Sequence, residues 1–387
     1  VCGVIATSAV ANPFNGRGMW IWIVSRSDGG NPAAIALQAR LAGIKTLFIK
    51  SGDGDEYWSQ FSPSLVRTLH ASGLNVCAWQ YVHGTDPGIE AAVGARAVRD
   101  GADCLVIDAE AEYEGRYAAA QTYIEALRAA VGSHYPIGLS SFPYVFDHPS
   151  FPYSVFLGPG GAQYNLPQMY WSEIGTSVEA VYQHTYTYNR IYRRPIRPVG
   201  QSDSGATGSD IALFRALSIS YGAGGLSWWD FAWASADDLW PALSGPFGSV
   251  PSNPPLGFPL LGYGSSGDMV LRLQELLASA IPAQRTTGIF ASETLADLRS
   301  FQARHRIPVT GETGPLTWRA LLRLPAVKVD WVATDARASR SARATGDGSL
   351  SRIAAAPESA TLHALAYEIH KPQSTDAGQT VWSAGSG

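Results

Sequence analysis

The sequence predicts an α/β fold. A (β/α)8 barrel of the TIM type is expected over residues 18–244. A small all-α three-helix domain follows over 263–324, and an extended C-terminal arm or disordered tail over 325–387. Three observations carry this reading. Strand-like and helix-like segments alternate eight times within about 230 residues, close to the count and size of such a barrel. A Pro/Gly-rich stretch, 245–262, then breaks the pattern and reads as a semi-rigid linker. Beyond it, apolar residues recur at helical spacing alone.

The strands are read from short apolar runs bounded by turn residues, and the helices from apolar residues three and four apart. In order, the strands are expected at 19–25, 46–51, 75–82, 104–110, 136–141, 166–171, 196–201 and 225–231. The helices between and after them are expected at 32–42, 64–72, 89–99, 116–131, 178–192, 210–221 and 236–243, with a short Pro-rich return after the fifth strand. An open doubly wound sheet would want a Gly-rich phosphate loop after its first strand. The run Val24-Ser25-Arg26-Ser27-Asp28-Gly29-Gly30 is a poor match to one.

Composition narrows the class. Of 387 residues 46% are hydrophobic and 16% charged, with a net charge of −4, so there is no basic footprint for nucleic acid. No apolar run approaches the roughly 20 residues of a membrane span. The three cysteines, Cys2, Cys77 and Cys104, do not make a disulfide framework. Cys77 and Cys104 start two successive strands and are expected to be neighbouring buried free thiols. Residues 1–17 form an N-terminal segment whose apolar start, ending Ala9-Val10-Ala11, resembles the remnant of a secretory signal. A secreted or wall-associated monomer is expected.

The fourth strand carries the strongest chemical signal. Cys104-Leu105-Val106-Ile107 runs into Asp108, Glu110, Glu112 and Glu114. Side chains alternate along a strand, so Asp108 and Glu110 share a side, about 7 Å apart at the backbone. Two like charges there are costly to keep ionised together, and one is expected to hold its proton to high pH. An acid beside a base is what glycoside hydrolysis requires.

Barrel active sites form at the C-terminal strand ends, and polar residues recur there. Lys50 and Asp53 close the second strand, and Gln80, Tyr81 and His83 the third. Ser140 and Ser141 close the fifth, Gln168, Tyr170 and Trp171 the sixth, and Gln201 and Asp203 the seventh. Trp228, Trp229 and Asp230 close the eighth. Trp20, Trp22, Tyr81, Tyr170, Trp171 and Trp228 are candidate sugar platforms.

The second unit carries a specific pattern: Gly264-x-x-Gly267-x-x-Val270-x-x-Leu273-Gln274-x-x-Leu277, then Gly288-x-Phe290, Thr294, Leu298 and Phe301-Gln302. Gly311, Gly314, Thr317-Trp318 and Leu321 complete it. It resembles the small three-helix peptidoglycan-binding domain appended to bacterial cell-wall enzymes. Phe301 and Trp318 are read as its core anchors. The resemblance implies a bacterial wall polysaccharide or peptidoglycan as partner.

The barrel resembles the glycoside hydrolase-like barrels of bacterial wall lysins, including the family 25 muramidases, on Asp108-x-Glu110 and Trp228-Trp229-Asp230. That family also places an Asp in its first strand, where this chain has no carboxylate before Asp28. The resemblance implies that Glu110 protonates the leaving oxygen while Asp108 stays charged beside it. An N-acetyl sugar could supply its own nucleophile; otherwise Asp53, Glu112, Glu173 or Asp230 would be needed across the rim. The expected substrate contacts are Lys50, Asp53, Gln80, Tyr81, Glu112, Gln168, Tyr170, Trp171, Gln201, Trp228 and Asp230.

Other chemistries are less well supplied. His83, His148 and His184 are scattered without the spacing of a zinc site, and no metal or other cofactor is expected. Gly138-Leu139-Ser140-Ser141 lacks the last glycine of a nucleophile elbow. Lys50 would form a Schiff base only if buried and neutral. Hydrolysis of a different polysaccharide and a non-catalytic glycan-binding barrel stand as alternatives.

Overall fold

Eight parallel strands follow one another around a ring: β1 (Gly16–Ile21), β2 (Thr46–Asp53), β3 (Asn75–Val82), β4 (Cys104–Ala109), β5 (Ile137–Ser141), β6 (Tyr164–Pro167), β7 (Val199–Gln201) and β8 (Gly225–Trp229). The computed structural model describes residues 12–203, 205–248 and 256–336. Ladders run unbroken from β6 back to β1, and from β1 through β8 to β7. Two single bridges, Asn165–Ile196 and Gln168–Val199, join β6 to β7 and close the barrel. A two-residue strand, Glu56–Tyr57, folds back on the end of β2.

Helices α1 (Pro32–Leu41), α2 (Pro63–Ala71), α3 (Pro87–Arg99) and α4 (Tyr117–Val131) follow the first four strands. The first three start alike: Asn31, Ser62 and Asp86 accept hydrogen bonds from the first turn, and a proline follows each. Such a cap satisfies an orphan N–H, and proline at the first helical position loses nothing. Helices α5 (Val178–Asn189) and α6 (Gly208–Ser220) follow β6 and β7. Only a short turn, Tyr153–Phe156, covers β5.

Several boundaries differ from expectation. β1 lies three residues earlier, because Val24–Arg26 already form a 3-10 turn. The expected final helix is instead two short ones, Phe231–Ala236 and Trp240–Ser244. Asp238 breaks the chain between them with φ 51°. Cys77 and Cys104 are not free thiols. They are register partners across β3 and β4, with Cα atoms 4.6 Å apart, and are joined as a disulfide. Residues 1–11, the linker residues 249–255 and the tail from 337 onward, including Trp382, lie outside the described residues.

The second unit contains α7 (Asp268–Ala280), α8 (Ser292–Arg304) and α9 (Pro315–Leu321). Phe301 and Trp318 are buried in it, at 1% and 0% exposure. It packs directly on the barrel. Asp268 is fully buried and accepts from Ser154 N and Oγ and from Tyr192 OH, all within 3.1 Å. Arg272 donates to Ile191 O, and Asp268 N donates to Pro149 O. Gly267, at φ 101°, lies so close to Pro149 that a Cβ there would sit 2.7 Å from it.

The chain then returns across the barrel. Val327 N donates to Glu275 O, Lys328 pairs with Glu125 at 2.7 Å, and Trp331 packs on Tyr117 with ring centroids 4.7 Å apart. Among the described residues no helix is long and apolar enough to cross a membrane.

Burial raises Asp268 to about 6 despite its hydrogen bonds, and raises Glu275 to about 8 against the charge of Arg272. Both values exceed those of the unfolded chain. Their stabilisation is therefore complete below the unfolded values and is lost as pH rises through about 6 and about 8. The urea midpoint should fall between pH 5 and pH 8, and Glu275→Gln should flatten its upper part. Asp268→Ala strands the buried donors of Ser154 and Tyr192 and should cost about 3 kcal/mol at pH 5. Urea titration at fixed pH measures both.

Candidate active site

Strand parity decides which residues meet at the barrel mouth, because successive side chains alternate between lumen and helix layer. Trp20, Trp79 and Trp229 point together: their ring centroids are 5.6–6.0 Å apart. Trp22 packs on Trp229 at 6.1 Å. Lys50 stands over Trp58, Trp79 and Trp22, at 4.2, 5.0 and 5.7 Å from the ring centroids.

Next to this aromatic wall lies the carboxylate pair. Gln168 Nε2, at the end of β6, donates to Asp108 Oδ1 at 2.9 Å and to Glu110 Oε1 at 3.0 Å. Ser140 Oγ lies 3.2 Å from the same nitrogen. Asp108 and Glu110 are 5% and 7% exposed, so this amide bridges two carboxyls largely removed from water. A carboxyl oxygen that carries no proton only accepts hydrogen bonds, which fixes the amide with its nitrogen toward Asp108 Oδ1 and Glu110 Oε1.

A second chain of polar contacts flanks the pair. Lys50 Nζ lies 2.6 Å from Asp53 Oδ2, and Asp53 Oδ1 lies 2.8 Å from His83 Nε2. Burial pushes Asp53 up, but the His83 hydrogen bond and Lys50 outweigh it and hold the carboxyl below its usual range. The hydrogen bond to Asp53 holds His83 above the usual imidazole range, against burial. Tyr81 OH donates to both oxygens of Glu112, at 2.8 and 2.7 Å. Burial first, then the charges of Glu110 and Glu112, keep that phenol protonated.

The loop carrying His83 is held by an acid that the sequence reading missed. Glu90, 1% exposed on α3, accepts from the backbone N–H groups of His83, Gly84, Thr85 and Asp86. Across the mouth, Gln201 accepts from Ser172 N and donates to Asp203. Asp203 is pushed up to about 7, by burial first and then by Glu173.

Some expected contacts do not join the cluster. Gln80 faces the helix layer, where its amide binds Gly54 O, Glu90 O and Tyr123 OH. Trp228 is fully buried against Phe214, and Gly200 is close enough that a Cβ there would lie 2.6 Å from the Trp228 ring. Asp230 caps the helix after β8 through Trp233 N, and burial raises it to about 6. The peptide between Trp229 and Asp230 is cis. Tyr170 and Trp171 are 7% and 4% exposed. The Trp171 and Trp22 indole N–H groups meet no acceptor among the described residues. Trp79, Trp229, His83 and Ser140 join the cluster. Strict alternation from Tyr81 and Asp108 was the signal that could have selected Trp79.

Fold and site together define a closed parallel barrel with a carboxylate-bearing aromatic mouth, joined to a small helical unit. Residues 266–321 of that unit match the family model described as "Putative peptidoglycan binding domain". No curated protein matches the chain. Among solved structures it is similar to a fungal endo-β-N-acetylglucosaminidase of glycosyl hydrolase family 18, at 12% identity. The match covers 59% of this chain and 96% of that one, with a TM-score of 0.45. It is also similar to the endo-1,4-β-mannanase of Rhizomucor miehei, at 8% identity over 58% and 88% of the two chains, TM-score 0.45. A sugar phosphate isomerase/epimerase from Parabacteroides distasonis matches at 14% identity over 60% and 99%, TM-score 0.41. Likenesses this distant carry no argument about chemistry.

The Gln168 bridge is testable without any substrate. An amide that donates to a carboxyl favours its ionised form, so Gln168→Ala should move the titration of the pair upward. Carboxyl carbon NMR of labelled protein reads this. An unchanged titration would show that the amide does not control the pair.

Proposed function

We propose that the protein is a glycoside hydrolase that cleaves bacterial cell-wall glycan, with Glu110 as the general acid. The observation that carries this is the Asp108–Gln168–Glu110 bridge at the C-terminal ends of β4 and β6, beside a wall of tryptophans. The family matched by residues 266–321 supports the choice of polymer. A wall-associated or secreted location follows from the same reading.

In this mechanism Glu110 protonates the leaving glycosidic oxygen, and Asp108 stays charged to stabilise the positive character that develops in the sugar. Gln168 holds the two carboxyls in register. Sugar rings stack on Trp229 and Trp22, the half-buried members of the cluster. The candidate nucleophiles across the rim are already engaged. Asp53 binds Lys50 and His83, Glu112 binds Tyr81, and Asp230 caps a helix. That arrangement favours participation by an N-acetyl group of the substrate over a protein nucleophile.

The absence of a carboxylate on the lumen side of β1, where Trp20 and Trp22 stand, favours a second reading. In it the barrel binds glycan without cleaving it.

Glu110→Gln should lower the release of new reducing ends from purified peptidoglycan at least about a hundredfold, with the thermal midpoint little changed. Full activity in this variant would overturn the assignment of Glu110. Binding without new reducing ends in the unaltered protein would establish the second reading. A panel of other polysaccharides tests the choice of polymer.

A further inference from the structure

A cavity of about 550 Å³ lies away from the mouth, between the barrel and the small helical unit. It shares no lining residue with the carboxylate cluster. Ile124, Val155, Val327, Val329 and Trp331 give it an apolar side, and Arg128 and Arg194 a charged one. Its size suits a small organic ligand.

The charges around it are unevenly matched. Lys328 pairs with Glu125, and Glu275 with Arg272. Arg128 and Arg194 reach no carboxylate among the described residues. Arg128 directs its donors to four backbone carbonyls and the Gln163 side chain. Arg194 binds Leu157 O through Nε and Gly158 O through Nη2, and its Nη1 makes no hydrogen bond among the described residues. Burial, and then repulsion from a neighbouring guanidinium, oppose the charge of each: Arg194 acts on Arg128, and Arg272 and Arg193 act on Arg194. Like charges gathered under partial burial and balanced only by neutral oxygens favour entry of an anion.

A second feature narrows the ligand. The returning segment forms no regular helix or strand where it lines the cavity. Between Val327 N, which binds Glu275 O, and Trp331 N, which binds Gln121, the backbone groups of Lys328 and Val329 make no hydrogen bond among the described residues. Backbone N–H and C=O groups left open beside a cavity can pair with the backbone of a bound peptide. We propose that this cavity binds the C-terminal end of a short peptide with small aliphatic side chains. The carboxylate meets Arg194, the peptide backbone pairs along Lys328–Val329, and the side chains rest on Ile124, Val155 and Trp331.

The inference goes beyond the hydrolase reading and stands without it. Its test is titration calorimetry with N-acetyl-alanyl-alanine on the full chain. The arms are the D,D and L,L peptides and their C-terminal amides. One carboxylate form should bind, and its amide at least about tenfold more weakly, the size of one lost charge-assisted hydrogen bond. Ala129→Glu places a negative charge on the cavity wall without removing any contact, and should weaken binding by a similar factor. Glu110→Gln should leave binding unchanged. Preference for the D,D peptide would assign the site to cell-wall peptides, and preference for L,L to protein-derived ones. Equal binding of acid and amide, binding unaffected by Ala129→Glu, or no binding of any arm would overturn the proposal.

Discussion

Closure of the sheet into a barrel makes side-chain parity the constraint on which the site depends. In an open sheet both faces could host chemistry. In a closed one, each strand offers the mouth only every second residue. Asp108, Tyr81, Trp79, Lys50 and Trp229 share the lumen phase. Gln80 and Trp228, one residue out of phase, are committed to the helix layer. A shift of one residue in any strand would exchange these sets and leave buried amides without partners.

The same constraint explains how so many charged groups survive at low exposure. Each is matched to the group that parity puts beside it. Lys50 meets both Asp53 and three indole faces. Glu90 satisfies four successive backbone N–H groups, which turns a loop into a fixed platform for His83. Asp268 does the equivalent work between the barrel and the helical unit. Partnered acids of this kind hold geometry, because a buried charge that loses its donors is expensive.

The repeating pattern of strands and helices was legible because each strand is a continuous apolar run and each helix is amphipathic. The clustering of polar groups at strand ends was legible too. Less legible was which of two neighbours faces inward. Trp228-Trp229 offers two identical side chains, and only the register of β8 against β1 and β7 separates them. The disulfide was hidden for a similar reason. Cys77 and Cys104 were visible as starts of adjacent strands, but their direct pairing depends on register, which the spacing in sequence does not fix. Nothing in the sequence pattern singles out Glu90, because no spacing reveals that four backbone donors converge on it.

Helix α7 carries the lesson furthest. Its apolar positions Val270, Leu273 and Leu277 mark one core-facing stripe. Yet every residue from Asp268 to Leu277 is buried. The second face is polar because it meets polar groups of the barrel: Asp268 at Ser154 and Tyr192, and Arg272 at Ile191. Leu271 packs with Tyr117 and Trp331. A helix buried on both faces from Asp268 to Leu277 offers a polymer little surface. The large apolar side chains that the small unit exposes stand outside α7: Tyr263, Ile289, Val309 and Leu316 are 47–70% exposed. Docking on the barrel thus selects which side of the small unit remains available for binding. A freely swinging tether would impose no such choice.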